Sequence, residues 1–155
     1  MGKYIDNNLA EDEEIIVRAE TTWLSQFWLL LIGGIILLLA LSGKSLFSFI
    51  ISLIFFGIAA INVLTTELAL TNRRVIAKWG FVSRSTIELN NQRIESLNVK
   101  QSVLGRIFGF GSVVIGGVGG SHAPIPNIKA PLEFRKTVNN HLDSLQEANK
   151  QSNQL

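Results

Sequence analysis

The chain has 155 residues, with 14 Lys and Arg against 12 Asp and Glu, a net charge of +2 and no cysteine. The missing cysteines exclude a disulfide framework and a thiolate metal site, and the charge is too small and too dispersed for a nucleic-acid surface. It is also unevenly placed, at −4 over residues 1–20, +1 at Lys44 and +5 over residues 67–155, so the C-terminal part suits a domain beside an anionic leaflet.

Residues 1–8 carry little signal, and residues 9–14 read as an acidic, solvated stretch. Within residues 13–20 the β-branched run Ile15, Ile16, Val17 has two readings. It is either a strand added to the edge of a later domain or a downward extension of the helix that follows. Next come two charge-free runs, residues 21–43 and 45–66, separated only by Lys44. Within them, helices over residues 23–41 and 46–64 are each about 19 residues long, enough to cross a hydrocarbon core of about 30 Å. A chain of 155 residues is too short to bury two such helices on every side in a soluble core. The first run is too long, and its leading segment too acidic, for a secretory signal.

The turn Ser42-Gly43-Lys44-Ser45 makes the pair an antiparallel transmembrane hairpin with both chain ends on one side. Arg18, Arg73, Arg74, Lys78 and Arg84 flank the shared end against Lys44 alone at the turn. The positive-inside rule therefore places both termini in the cytoplasm, with Trp23 and Trp28 near that interface.

From Thr65 the periodicity becomes alternating. Residues 67–71, 74–79, 83–89 and 94–101 read as four strands of an antiparallel meander, punctuated by Asn72-Arg73, Gly80 and Asn90-Asn91. In the fourth, Leu97 and Val99 face one way while Ser96, Asn98 and Lys100 face the other. Residues 104–108 form a short helical turn, and residues 111–118 and 123–128 two further strands, the last demoted to an edge by Pro124 and Pro126. Pro131 opens a helix whose Phe134, Val138, Leu142 and Leu145 share a face for packing on the sheet. The expected division is an N-terminal segment 1–20, a hairpin 21–66, a domain 67–147 and a polar tail 148–155.

This order describes a small β-rich domain, bent antiparallel sheets or a partly open barrel, capped by a C-terminal helix. Several stretches carry a resemblance: Tyr4-Ile5 with Asn8-Leu9, then Glu14 and Trp23; TTELALTNRRVIAKWGFVSRSTIEL (65–89); QSVLGRIFGFGSVVIGGVGG (101–120); and PLEF (131–134). On these the chain resembles the bacterial pleckstrin-homology (PH)-like, membrane-flanked family long catalogued as a domain of unknown function. The resemblance covers nearly the whole chain and implies a PH-like fold behind a two-helix anchor in a bacterial inner membrane. It implies no catalytic activity.

No catalytic, cofactor or metal set is expected. Ser42-Gly43-Lys44-Ser45 lacks the first glycine of a phosphate loop, since that position is Leu38. The glycines Gly109, Gly111, Gly116, Gly117, Gly119 and Gly120 lack a dinucleotide fingerprint, whose third glycine would fall at Val114. His122 and His141 have no metal-ligand spacing, and Glu88 and Glu95 read as surface strand charges. Two functional readings remain. The favoured one is a non-enzymatic membrane-anchored interaction module whose sheet edge and helix groove take a protein partner or a second copy. The alternative is a sensor of anionic lipid headgroups through a juxtamembrane patch of Arg73, Arg74, Lys78 and Arg84, in which Arg74, Lys78 and Arg84 converge.

Overall fold

In the computed structural model, which describes residues 3–81, 83–117, 120–121 and 124–152, the apolar hairpin is inserted between the first two strands of a sheet. The chain opens with a short helix α1 (Lys3–Asn7), then strand β1 (Ile15–Arg18). A 3-10 turn (Trp23–Gln26) leads into α2 (Phe27–Gly43), and α3 (Leu46–Leu64) returns to β2 (Glu67–Thr71). Then follow β3 (Arg74–Trp79), β4 (Ser85–Asn90), a 3-10 turn (Asn91–Arg93), β5 (Ile94–Lys100) and α4 (Val103–Phe108). The chain continues through β6 (Phe110–Gly117), β7 (Gly120–Ser121), β8 (Ile125–Lys129) and α5 (Pro131–Ser152).

Of the two readings of residues 13–20, the strand holds: β1 pairs antiparallel with β2, Val17 opposite Leu70 and Arg18 opposite Ala69. β1, β2, β3 and β4 form one sheet in that order. β5 and β6 open the second sheet, and the far edge of β6 pairs with both β7 and β8. The expected meander of four consecutive strands is therefore cut after its third member. The cause is the turn at Asn91, which is buried: its N–H donates to Arg73 O and its side-chain amide to Thr71 O, both at 3.0 Å. That anchor bends the chain out of the first sheet before β5 begins.

The segment after β1 joins the two sheets. Ala19 N–H donates to Leu68 O at 2.8 Å, in the first sheet. Immediately beyond, Glu20 O accepts from Lys129 N–H at 2.7 Å and Thr22 N–H donates to Asn127 O at 3.0 Å, in the second. The space between the sheets is filled by Leu68, Leu70, Val75, Ala77, Leu97 and Ile115 with their neighbours, and α5 closes it with Phe134 and Val138. Gly117 permits a close approach there, since a Cβ would fall 2.7 Å from Arg93 O and from Leu89 Cδ2.

The outer face of the first sheet is covered as well. Ile5 of α1, with Tyr4, Leu9 and Ile15 around it, buries Ala69 and Ile76. Burial on both faces explains why LAL in β2 and VIA in β3 are unbroken apolar runs, whereas β5 alternates.

The hairpin turns on Lys44, in the left-handed region at φ 50, and Ser45 caps α3 by accepting from Ser48 N–H. Ser52 Oγ donates to Gly33 O at 2.9 Å where the helices touch. Both helices are long and apolar enough to cross a membrane, and Leu38, Leu41, Leu46 and Phe47 on them are exposed. The first starts as a 3-10 turn rather than as α-helix at Trp23, because Thr22 accepts from Leu24 N–H and tightens the entry. β4 begins at Ser85 instead of residue 83, and α5 runs through Ser152 where a polar tail is expected. Val118, Ala123 and His122 lie outside the described residues.

Leu97 is 7% exposed. Leu97→Ala should cost about 2–5 kcal/mol, read as a lower urea midpoint of the near-UV circular dichroism of the full-length protein in detergent. Asn98→Ala, on the opposite and exposed face of β5, should leave the midpoint unchanged.

Candidate functional site

The four basic residues of the expected patch separate into two groups. β3 runs from Arg74, opposite Asn90, to Lys78, opposite Glu67 at the start of β2. Four residues of strand put these positions about 13 Å apart. Arg73 and Arg74 stand at the far end of the sheet, whereas Lys78 and Arg84 stand at the end where the hairpin joins. Alternation along β3 puts Arg74 and Lys78 on one face, but the expected convergence of Arg74, Lys78 and Arg84 is not found.

Arg74 is occupied. Its Nε and Nη2 donate to Glu13 Oε1 and Oε2 at 2.9 and 2.8 Å, Nη1 donates to Glu88 Oε2 at 2.7 Å, and Nη2 also reaches Asn8 O at 2.8 Å. Glu13 has a side chain only 1% exposed. It accepts further from Ala10 N–H at 3.0 Å and from the Thr71 hydroxyl at 2.7 Å. Burial pushes the Glu13 carboxyl up, but the bonds from Arg74, Ala10 and Thr71 and the Arg74 charge outweigh it and hold the pKa at about 2. Arg73 lies 3.8 Å from Asp12 in an exposed pair. Lys78 Nζ sits 4.7 Å from the centre of the Tyr4 ring. Arg84 is exposed and has no ion-pair partner among the described residues. The acidic segment 9–14 is thus a latch across the outer face. Its signals in the sequence were its −4 charge and the apolar Tyr4, Ile5 and Leu9.

A second constellation lies where the hairpin meets the domain, built from Gln26 and Asn62 of the apolar segment and Asn127 of β8. Gln26 Nε2 donates to Asn127 Oδ1 at 2.8 Å, Asn62 Nδ2 to Gln26 Oε1 at 3.3 Å, and Asn127 Nδ2 to Asn62 O at 3.0 Å. Asn127 takes φ 64, tolerable for an asparagine, which aims its amide at the hairpin. This ring of amides ties the 3-10 turn that enters α2 to both α3 and β8. Two grooves flank the neighbouring β1. One, of about 420 Å³, is lined by residues 18–21 and 66–68. The other, of about 360 Å³, runs between β1 and α5 and is lined by Val17, Ala19, Lys129, Phe134 and Thr137 among others. β1 is an edge strand there. Lys129 and Glu20 close one end of this groove with an ion pair of 2.6 Å.

None of this is an acid–base or nucleophilic constellation. Glu88 is taken by Arg74, and Glu95 lies in the other sheet. No group of three or more His, Asp or Glu is placed to hold a metal ion among the described residues. His141 is half-buried on α5, its buried Nε2 without a hydrogen-bond partner.

Because the Glu13 pKa is depressed, its contribution to stability is present above the unfolded carboxylate value of about 4.3 and is lost as pH falls through about 2. Protection of the residue 3–12 amides, taken relative to their intrinsic exchange rates at each pH, should therefore fall as pH drops between these two values. In Glu13→Gln it should be low already at neutral pH and nearly flat across that window.

Comparison with known proteins gives a family match described as bacterial PH domain, over residues 21–142. Among solved structures, the chain is similar to a DUF1696 family protein with a pleckstrin-homology domain from Shewanella loihica PV-4. That similarity has a TM-score of 0.46 and 8% identity, covering 90% of this chain and 91% of that one. A search of curated proteins finds no match. The family match spans well over half of the sequence and falls on a double sheet closed by a C-terminal helix, the fold the resemblance implied: the chain belongs to the bacterial PH-domain family.

Proposed function

We propose that the chain is a non-enzymatic, membrane-anchored interaction module whose edge strand β1, with the groove beside α5, accepts an extended segment of a protein partner or of a second copy. The observation that carries this reading is the groove itself. β1 is an edge strand, and its Val17, with Ala19 and Phe134, lines a groove that Lys129, Glu133 and Thr137 make polar at its sides. An added strand would gain main-chain hydrogen bonds along such an edge and side-chain contacts with the groove.

In this reading α2 and α3 cross the inner membrane of a bacterial cell as a multi-pass anchor, with both termini and the PH-like domain in the cytoplasm. Exposed leucines and phenylalanines around both helices support it, since such a surface is stable against lipid and costly against water. Arg18, Arg73, Arg74, Lys78 and Arg84 on the side of the shared end support the orientation. The domain is discontinuous in this division, taking β1 from residues before the membrane segment 21–66 and the rest from after it. Recognition of an anionic headgroup by the four-residue patch draws less support, because Arg73 and Arg74 already have acidic partners and, of the four, Lys78 and Arg84 alone stand at the hairpin end.

Two measurements test the proposal. With no native cysteine, Ser42→Cys should react with a membrane-impermeant thiol reagent applied outside the cell and Asn140→Cys, exposed on α5, should not; the reverse labelling would overturn the orientation. For the groove, a photocrosslinking residue at Thr137 should give discrete protein adducts in living cells, identified by mass spectrometry, and the same probe at the exposed Asn98 should not. Equal yields at the two positions, or adducts to lipid alone at Thr137, would overturn the groove as the interaction site.

A further inference from the structure

Outside the hairpin, the large apolar side chains exposed among the described residues are Ile16, Phe81, Val103, Ile107, Phe108 and Leu132. Three of them belong to the six-residue helix α4, with Val103 75% and Ile107 70% exposed. This exposure does not come from a loose loop. Ser102 caps the start of α4 by accepting from Gly105 N–H, and Gly109 ends it in the left-handed region. The Gln101 side chain braces it from within, donating to Gly105 O at 3.2 Å and Phe110 O at 2.9 Å. The buried side of α4 is Gly105, where a Cβ would fall 2.5 Å from Phe110 O. With a glycine backbone as its inner contact, α4 turns Val103, Arg106 and Ile107, spaced three and four residues apart, outward on the opposite side. All three are exposed.

The position of α4 says what it faces. Gly109 O accepts from Ala130 N–H at 2.7 Å, and the adjoining Lys129 N–H donates to Glu20 O, also at 2.7 Å. The end of α4 is therefore held, through residues 129–130, beside the point where the chain leaves β1 for the hairpin. Ser25 of the entry turn lines one cleft together with Lys100, Ser102, Phe110 and Asn127. Thus α4 is at the hairpin end of the domain, with exposed bases Lys100 and Arg106 around its apolar side chains.

Resting on the membrane-anchored reading above, we infer that α4 is a second contact with the bilayer: Val103, Ile107 and Phe108 enter the interfacial layer while Lys100 and Arg106 meet lipid phosphates. A short amphipathic helix with bases on its flank gains from apolar burial and from attraction to anionic lipid together. The hairpin tethers the domain at one edge, and α4 fixes its tilt.

The test uses the full chain in vesicles of phosphatidylcholine and phosphatidylglycerol, with an environment-sensitive fluorophore on Ile107→Cys or Val103→Cys and comparison labels on Leu38→Cys in the hairpin and Asn140→Cys on α5. At Ile107 and Val103 the emission should be blue-shifted, and quenched more by a nitroxide near the lipid headgroup than by one at the acyl-chain end. Leu38 should be quenched within the bilayer and Asn140 should remain water-like. Water-like emission at both α4 positions beside a quenched Leu38 would overturn the inference and leave the anchor standing. An unquenched Leu38 would overturn the anchor and the inference with it. A blue-shifted α4 label that no lipid nitroxide quenches would also overturn it, in favour of contact with another protein chain.

Discussion

The ladder between β1 and β2 is the constraint on which the molecule depends, because its two strands are separated in sequence by the whole apolar hairpin. Closing a loop of that length would cost several times RT in a flexible chain. Here the loop is itself ordered: α2 and α3 lie side by side, at a separation of about 8–10 Å for packed helices, and deliver residues 19–22 and 65–66 close to each other. Ser52 against Gly33 and the amides of Gln26, Asn62 and Asn127 hold that geometry at the middle and at the base. Domain and hairpin are thus one folding unit. A fragment beginning at Thr66 would lack β1 and the strap that joins the two sheets.

The Glu13–Arg74 pair does for the outer face what the core does for the inner one. A nearly buried carboxylate would be unfavourable alone; four hydrogen bonds from Arg74, Ala10 and Thr71 satisfy it, and α1 is thereby set over Ile76. Charge that a membrane-topology argument counts as positive flank is, at Arg74, also structural. A residue that the sequence offers as a topology signal thus closes the sheet.

Much of the fold was legible because local pattern and final burial agree. α3, β2 and β3 fall where charge-free length and the turn signals Asn72-Arg73 and Gly80 put them, and the stripe of Phe134, Val138 and Leu142 does pack on the core. What was not legible depends on partners distant in sequence. Nothing near Asn91 says that its amide will find Thr71 and turn the chain into a second sheet, and β7, two residues long, has no pattern to read. The basic cluster was read from alternation, which fixes the face of a strand but not the distance along it. The acids that neutralise Arg73 and Arg74 lie about sixty positions earlier, in a stretch whose own composition reads as solvated. The amide ring was hidden for a similar reason: a single glutamine and a single asparagine in apolar helices are unremarkable until a left-handed Asn127 meets them.

The interruption of the sheet by the hairpin also has a meaning during biosynthesis. β1 leaves the ribosome before either apolar helix, and its partner β2 only after both, so no part of the first sheet closes until the hairpin is complete. Completion of the ladder comes last and requires the two helix ends to return to one side. A chain whose second helix failed to turn back would leave β1 stranded from β2, so the arrangement makes folding of the domain a check on closure of the hairpin.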